Sequence, residues 1–260
     1  MTPLAIILVL LLGASVALSV ATWRRARRLE RRLAGAVAEL ERLQTAFGRF
    51  APIKVVDEIV ERGVSRDAQI REVTVLFADL QGFTRMSEGL SPEALVEILN
   101  GYLAAMSRAI TRHNGHVSKF LGDGILALFG AVTINPWQAR DAVDASLAMR
   151  AALADYNRTL AAAGRPTLRF GIGIHRGPVV AGIIGSHELV EYTVIGDTVN
   201  LASRVESLTR THGVDVLITE SVRDALGDRY PLVAMPPASV KGKAEPVLTW
   251  TIAAAPEGTR

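Results

Sequence analysis

His116-Val117-Ser118-Lys119-Phe120-Leu121-Gly122-Asp123-Gly124-Ile125-Leu126-Ala127-Leu128-Phe129 is the stretch that decides the fold. Two short apolar runs, 116–121 and 125–129, flank a Gly-Asp-Gly triplet, a pattern that predicts a tight β-hairpin. Upstream, residues 73–78 are rich in strand formers and end at Asp79. Between them, Ser91 supplies an N-cap and Pro92 a first helical position. Leu95, Leu99, Tyr102, Met106 and Ile110 then fall on one face of a helix that Gly115 closes. Downstream, Asn135 and Pro136 open a second long helix whose Val143, Leu147, Tyr156 and Leu160 point to the core, stopping by Gly164 or Pro166. Strands are predicted over 168–175 and 178–184 about a turn at Gly177. Residues 192–195 lead through Gly196 and Asp197 into a helix ending near Gly213, and a strand follows over 216–219. Strand, helix, hairpin, helix, strand is the order of a ferredoxin-like βαββαβ core, an α+β fold, here with a C-terminal extension.

The 260 residues are 49% hydrophobic and 21% charged, which fits a folded protein and rules out disorder or collagen. The absence of cysteine excludes a disulfide framework, a thiolate zinc site and a cysteine nucleophile. Any metal must sit on oxygen or histidine. The net charge is +3, yet residues 24–32 alone hold six arginines and one glutamate, so the rest of the chain is slightly acidic. Basicity is local, and no nucleic-acid partner is expected.

Residues 1–23 contain no charged side chain, and residues 4–22 are almost wholly apolar or small. Nineteen helical residues cover roughly 28 Å, about one hydrocarbon core. A cleaved secretory signal is the competing reading. Its basic leading region is missing, and the arginines follow the apolar run instead, which favours a single transmembrane anchor in contact with membrane lipid. The positive-inside rule then puts the N-terminus outside and the rest in the cytoplasm. Leu29, Leu33, Ala36, Leu40, Leu43, Phe47 and Phe50 recur at alternating spacings of four and three, the seam of a parallel coiled coil or of an amphipathic helix lying on the domain. Pro52 ends or kinks it. The expected division is an anchor over 1–23, a coiled-coil-like helix and linker over 24–69, a catalytic domain over 70–252 and a tail over 253–260.

Asp79 and Asp123 stand at strand ends that a βαββ unit places side by side. Paired carboxylates without nearby His or Cys form an all-oxygen ligand set that selects Mg²⁺ or Mn²⁺. The plain alternatives are a turn former at Asp123 and a strand terminator at Asp79. Lys119, four residues before Asp123, is separated from it by roughly 13 Å along a strand, too far for one compact site to use both. Asn200 and Arg204 are i and i+4 on a helix and present amide and guanidinium together, a fork of donors suited to a phosphoryl oxygen. An idle solvated face is the alternative. Val240-Lys241-Gly242-Lys243 offers two ammonium groups around a glycine, either a phosphate contact or a solvated turn.

Phe77-Ala78-Asp79-Leu80-Gln81-Gly82-Phe83-Thr84, then Lys119-Phe120-Leu121-Gly122-Asp123-Gly124, then Tyr192-Thr193-Val194-Ile195-Gly196-Asp197-Thr198-Val199-Asn200-Leu201-Ala202-Ser203-Arg204 together resemble the catalytic domain of the class III adenylate cyclases. The resemblance covers about residues 70–252; the signature of the related GGDEF cyclases is absent. It implies conversion of ATP to cyclic AMP and pyrophosphate with two divalent metal ions. Asp79 and Asp123 match metal ligands, with the Leu80 carbonyl as a further one. Lys119 and Thr193 match the pair that reads adenine, Asn200 and Arg204 the residues that orient ribose and stabilise the transition state, and Lys241 a lysine on the terminal phosphates. The commoner family pattern has aspartate where Thr193 stands; threonine marks a subgroup, some of whose members respond to bicarbonate. In the family each site is shared between subunits, which implies a homodimer. A guanylate cyclase is the nearest alternative, disfavoured because lysine donates where guanine needs an acceptor. A catalytically silent membrane-tethered dimerisation module and an RNA-binding ferredoxin-like domain are weaker ones.

Overall fold

The computed structural model describes residues 23–25, 27–39, 42, 69–186 and 190–253. The chain divides into two compact units, Met1–Asp57 and Glu58–Arg260. In the first, the described residues are helical and exposed, Leu29 and Leu33 included. The apolar run 4–22, all of the seam residues beyond Ala36, and Pro52 lie outside the described residues. Among the described residues no helix is long and apolar enough to cross a membrane.

In the second unit β1 (Gln69–Leu80) precedes α1 (Phe83–Ser87) and α2 (Pro92–Arg112). The hairpin β2 (His116–Leu121) and β3 (Gly124–Phe129) comes next, then α3 (Gln138–Ala162), β4 (Phe170–Gly185) and β5 (Val190–Ile195). α4 (Asp197–His212), β6 (Val216–Thr219), α5 (Glu220–Leu226), β7 (Leu232–Ala234) and β8 (Thr249–Ile252) complete it. The sheet runs β2-β3-β1-β4-β6-β8-β7, with β5 paired to β4. Its first four strands are each antiparallel to their neighbours, in the order a βαββαβ core requires, whereas β6 joins β4 in parallel, so the extension makes the sheet mixed.

Residue chemistry explains the layers. Ser91 caps α2 by accepting from the Ala94 amide, and Pro92 opens it. Its buried stripe is led by Ile98, Tyr102, Met106 and Ile110, while Leu95 and Leu99 are only partly covered. α3 starts two residues after Pro136, where Asn135 accepts from the Trp137 amide. Alternate β1 residues face opposite cores: Leu76 and Ala78 meet α2 and α3, and Val73 and Val75 face the side covered by α4. β3 is buried along its whole length, Ile125, Ala127 and Phe129 on one face and Leu126 and Leu128 on the other. That double burial is why its run is continuously apolar.

One expectation is overturned. Gly177 is not a turn: β4 is a single strand of 16 residues in which Gly177 pairs with Val73 and Pro178 with Glu72. Gly177 is needed for a close approach, since a Cβ there would lie 2.8 Å from Thr198 Oγ1. That same hydroxyl donates to the Pro178 carbonyl at 2.6 Å. β1 is also longer than expected, starting at Gln69.

Candidate active site

Asp79 is the penultimate residue of β1, and Asp123 forms the tip of the β2–β3 hairpin. The register Ala78↔Ile125 brings the two strand ends together. A Cβ on Gly124 would lie 3.3 Å from Asp79 Oδ1, which shows how closely the hairpin meets that carboxylate. The backbone at Asp123 itself and at Leu80 favours the charged form of the Asp123 carboxyl. Burial, aided by the neighbouring charge of Asp79, nevertheless pushes its pKa up. Two hard carboxylates crowded in this way fit Mg²⁺ or Mn²⁺. Among the described residues no group of three or more His, Asp or Glu surrounds a common point, so backbone oxygen, water and substrate phosphate would complete the coordination.

Two residues that sequence reasoning missed stand beside this pair. Arg210 Nη2 donates to Asp79 Oδ2 at 2.6 Å and lies 3.6 Å from Glu206 Oε1. Burial lifts the Glu206 carboxyl to about 7, against the pull of Arg210. A glutamate on the helix stripe that also carries Ala202 and Val205 was the available signal. The fully buried Tyr102 feels the same acids: burial first, then Asp79 and Asp123, push its phenol up.

α4 carries the other predicted group. Asn200 is exposed; Arg204 is half-buried, and its Nη1 has no hydrogen-bond partner among the described residues. Its guanidinium faces the 240–243 turn, where a Cβ on Gly242 would sit 3.1 Å from Nη1. In that turn Lys241 is exposed, and the ion pair is made by Lys243, 2.5 Å from Asp197 Oδ2. Lys243 thereby holds the Asp197 carboxyl below its usual range. Close by, His175 Nδ1 lies 2.8 Å from Thr219 Oγ1; burial, with Lys243 adding to it, lowers its pKa to about 4.

Lys119 on β2 pairs with Glu191 of β5 at 2.8 Å, and buried Thr193 follows two residues later on the same strand face. The fold thus joins Asp79 with Asp123, Lys119 with the strand of Thr193, and Asn200 with Arg204. It does not join the last pair to the acids. Along α4, Arg204 stands roughly 9 Å and Asn200 roughly 15 Å from Arg210, the residue that touches Asp79.

A mixed sheet of this order with two adjacent acids at the end of β1 is compatible with a nucleotidyl cyclase type of catalytic domain, and the family model "Adenylate and Guanylate cyclase catalytic domain" matches residues 66–254. The chain belongs to that family, the class III nucleotidyl cyclases. It is 40% identical over 192 residues to an adenylate cyclase of Anabaena cylindrica, covering 71% of this chain and 37% of that protein. It is 34% identical over 220 residues to adenylate cyclase 1 of Rhizobium meliloti, covering 80% and 33%. The chain therefore spans about a third of the length of these relatives. Among solved structures, the guanylyl cyclase Cya2 matches at 39% identity and a TM-score of 0.68, covering 73% of this chain and 95% of that one. The adenylyl cyclase CyaB from P. aeruginosa matches at 31% and 0.69, covering 74% and 98%.

Proposed function

We propose that the chain is a membrane-anchored adenylate cyclase converting ATP to 3′,5′-cyclic AMP and pyrophosphate at sites shared across a homodimer. The neighbouring acids Asp79 and Asp123 carry this reading, and the relatives named adenylate cyclases support it. The ribose 3′-oxygen attacks the α-phosphorus in line, the bond to the β-phosphate oxygen breaks, and the hydroxyl proton passes to solvent. Asp79, Asp123 and the Leu80 carbonyl would hold two divalent cations, Mg²⁺ or Mn²⁺, which when bound supply Lewis acidity toward the hydroxyl and the triphosphate.

The chain's own side chains do the rest. Lys119 donates to adenine N1, and the Thr193 hydroxyl accepts from the exocyclic amine. Asn200 orients the ribose, Arg204 faces the charge that grows on the α-phosphoryl oxygens, and Lys241 contacts the terminal phosphates. The distance along α4 between Arg204 and Arg210, which touches Asp79, supports a site completed by the partner's α4. Membership of the threonine-bearing subgroup, with bicarbonate as a candidate effector, is part of this proposal and is supported by Thr193. The division into anchor (1–23), coil and linker (24–69), catalytic domain (70–252) and tail (253–260) belongs to the same proposal, as does a cell-membrane location with the N-terminus outside and the catalytic domain cytoplasmic. The uncharged run followed by arginines supports it.

Guanylate cyclase is the second reading. Glu191 beside Lys119 offers an acceptor next to a donor, a pair that could also meet guanine N1–H and O6, and Cya2 is named a guanylyl cyclase. The deciding experiment incubates the full-length chain with Mn²⁺ and either ATP or GTP and identifies the cyclic product, with a chelator control. Cyclic AMP lost on chelation is expected. Cyclic GTP-derived product alone selects the second reading, and no cyclic product overturns both.

A further inference from the structure

Arg210 stands between two acids. Its Nη2 is 2.6 Å from Asp79 Oδ2 and 3.6 Å from Glu206 Oε1. Glu206 is 4% exposed, and that Oε1 has no hydrogen-bond partner among the described residues. Glu206 lies on α4. The helix is pressed onto β4 at Gly171 and Gly173; a Cβ on Gly171 would lie 2.6 Å from Glu206 Oε1, and one on Gly173 2.5 Å from the Ala202 carbonyl. The carboxylate is thus fixed against the strand, one helical turn from the arginine. Arg210 itself is partly exposed, so side-chain rotation alone carries it from one acid to the other. Ser207 Oγ donates to Glu206 Oε2 over 3.4 Å, and Oε1 has only the 3.6 Å approach of Arg210. A buried carboxylate so thinly satisfied is unfavourable when ionised, which makes Glu206 an acceptor for a cation released from Asp79.

From this geometry we infer that Arg210 is a positioning residue for the cation site: it neutralises Asp79 while the site lacks a divalent cation and passes to Glu206 when such a cation takes Asp79. The inference rests on the reading of Asp79 as a cation ligand. An incoming cation competes with a guanidinium already in place, and Glu206 eases the displacement by receiving it. Substitutions at 210 and 206 therefore act in opposite directions, and the effect of one depends on the other.

The test measures Mn²⁺ binding to the full-length chain without nucleotide, from the paramagnetic resonance signal of free Mn²⁺ at mildly alkaline pH. Arg210→Gln is expected to bind roughly three- to fivefold tighter than wild type, the scale of a partly exposed ion pair given up. Arg210→Lys should bind as wild type does. Glu206→Gln should bind more weakly by a similar factor, and the double variant should match Arg210→Gln. Unchanged or weaker binding by Arg210→Gln overturns the inference. So does a Glu206→Gln effect that persists undiminished without the arginine, because a general field effect would simply add. Should Glu206→Gln not fold, the two Arg210 variants still decide. If Asp79→Asn and Asp123→Asn both leave Mn²⁺ binding intact, the cation-site reading falls and the inference with it. If binding needs Asp79 but ignores Arg210→Gln, only the inference falls.

Discussion

Lys119 Nζ lies 2.8 Å from Glu191 Oε1, tying the hairpin strand β2 to β5, the strand that carries Thr193. If Lys119 reads adenine, Lys119→Ala should lower kcat/KM for ATP on the order of 10²-fold, the scale of a lost hydrogen bond from a charged donor. Glu191→Ala should cost less than about fivefold, because the ion pair is partly exposed. Steady-state kinetics with ATP and GTP in parallel would check both. Equal losses for the two substitutions would contradict the assigned roles.

Shared sites make a stoichiometric prediction. Asp79→Ala and Arg204→Ala should each abolish nearly all activity, the arginine change by on the order of 10²- to 10³-fold. Mixed in equal amounts under exchange, they should recover about a quarter of wild-type activity, since half the dimers are then mixed and each has one intact site. Absence of rescue where heterodimers are shown to form would exclude sharing.

His175 gives a pH dependence of stability. Its pKa falls from an ordinary 6.5 to about 4 in the folded chain, mainly through burial, beside Lys243 and Asp197. The unfolded chain therefore takes up the proton first as pH drops. This contribution is complete above 6.5 and is lost progressively down to about 4, on the order of 3 kcal/mol in all. Urea unfolding of wild type and His175→Gln across that window should show the excess slope in the wild type only.

Gly173 has no room for a side chain. A methyl group would meet the Ala202 carbonyl at 2.5 Å and Glu206 Cα at 2.7 Å, both backbone. Gly173→Ala should destabilise the domain by about 3 kcal/mol or more, the upper end of overpacking. A urea midpoint within error of wild type would show that α4 can lift off the sheet.

The hairpin and the two long helices were legible because each is set by local periodicity and its own stop signals: Gly122 to Gly124 for the turn, Ser91 and Pro92 for a start. β4 was misread because Gly177-Pro178 has the composition of a turn, and nothing local reveals that Thr198, twenty residues on, needs the space. The acid pair was legible for the opposite reason, since strand order alone brings Asp79 to Asp123. Arg210 and Glu206 were not. Their importance lies in which strand end α4 crosses, a distance set by the whole sheet. Likewise Lys243, rather than Lys241, makes the ion pair in the 240–243 turn, a choice that rests on the position of Asp197.

The double burial of β3 has a consequence during synthesis. Its residues leave the ribosome with both flanks greasy, yet Ala202, which helps to cover Leu126 and Leu128, belongs to a helix made about seventy residues later, roughly 4 to 14 seconds at ordinary elongation rates. For that interval the nascent hairpin is a sticky ribbon, and chaperone supply or translation speed should govern how much of this protein a producing cell recovers in soluble form.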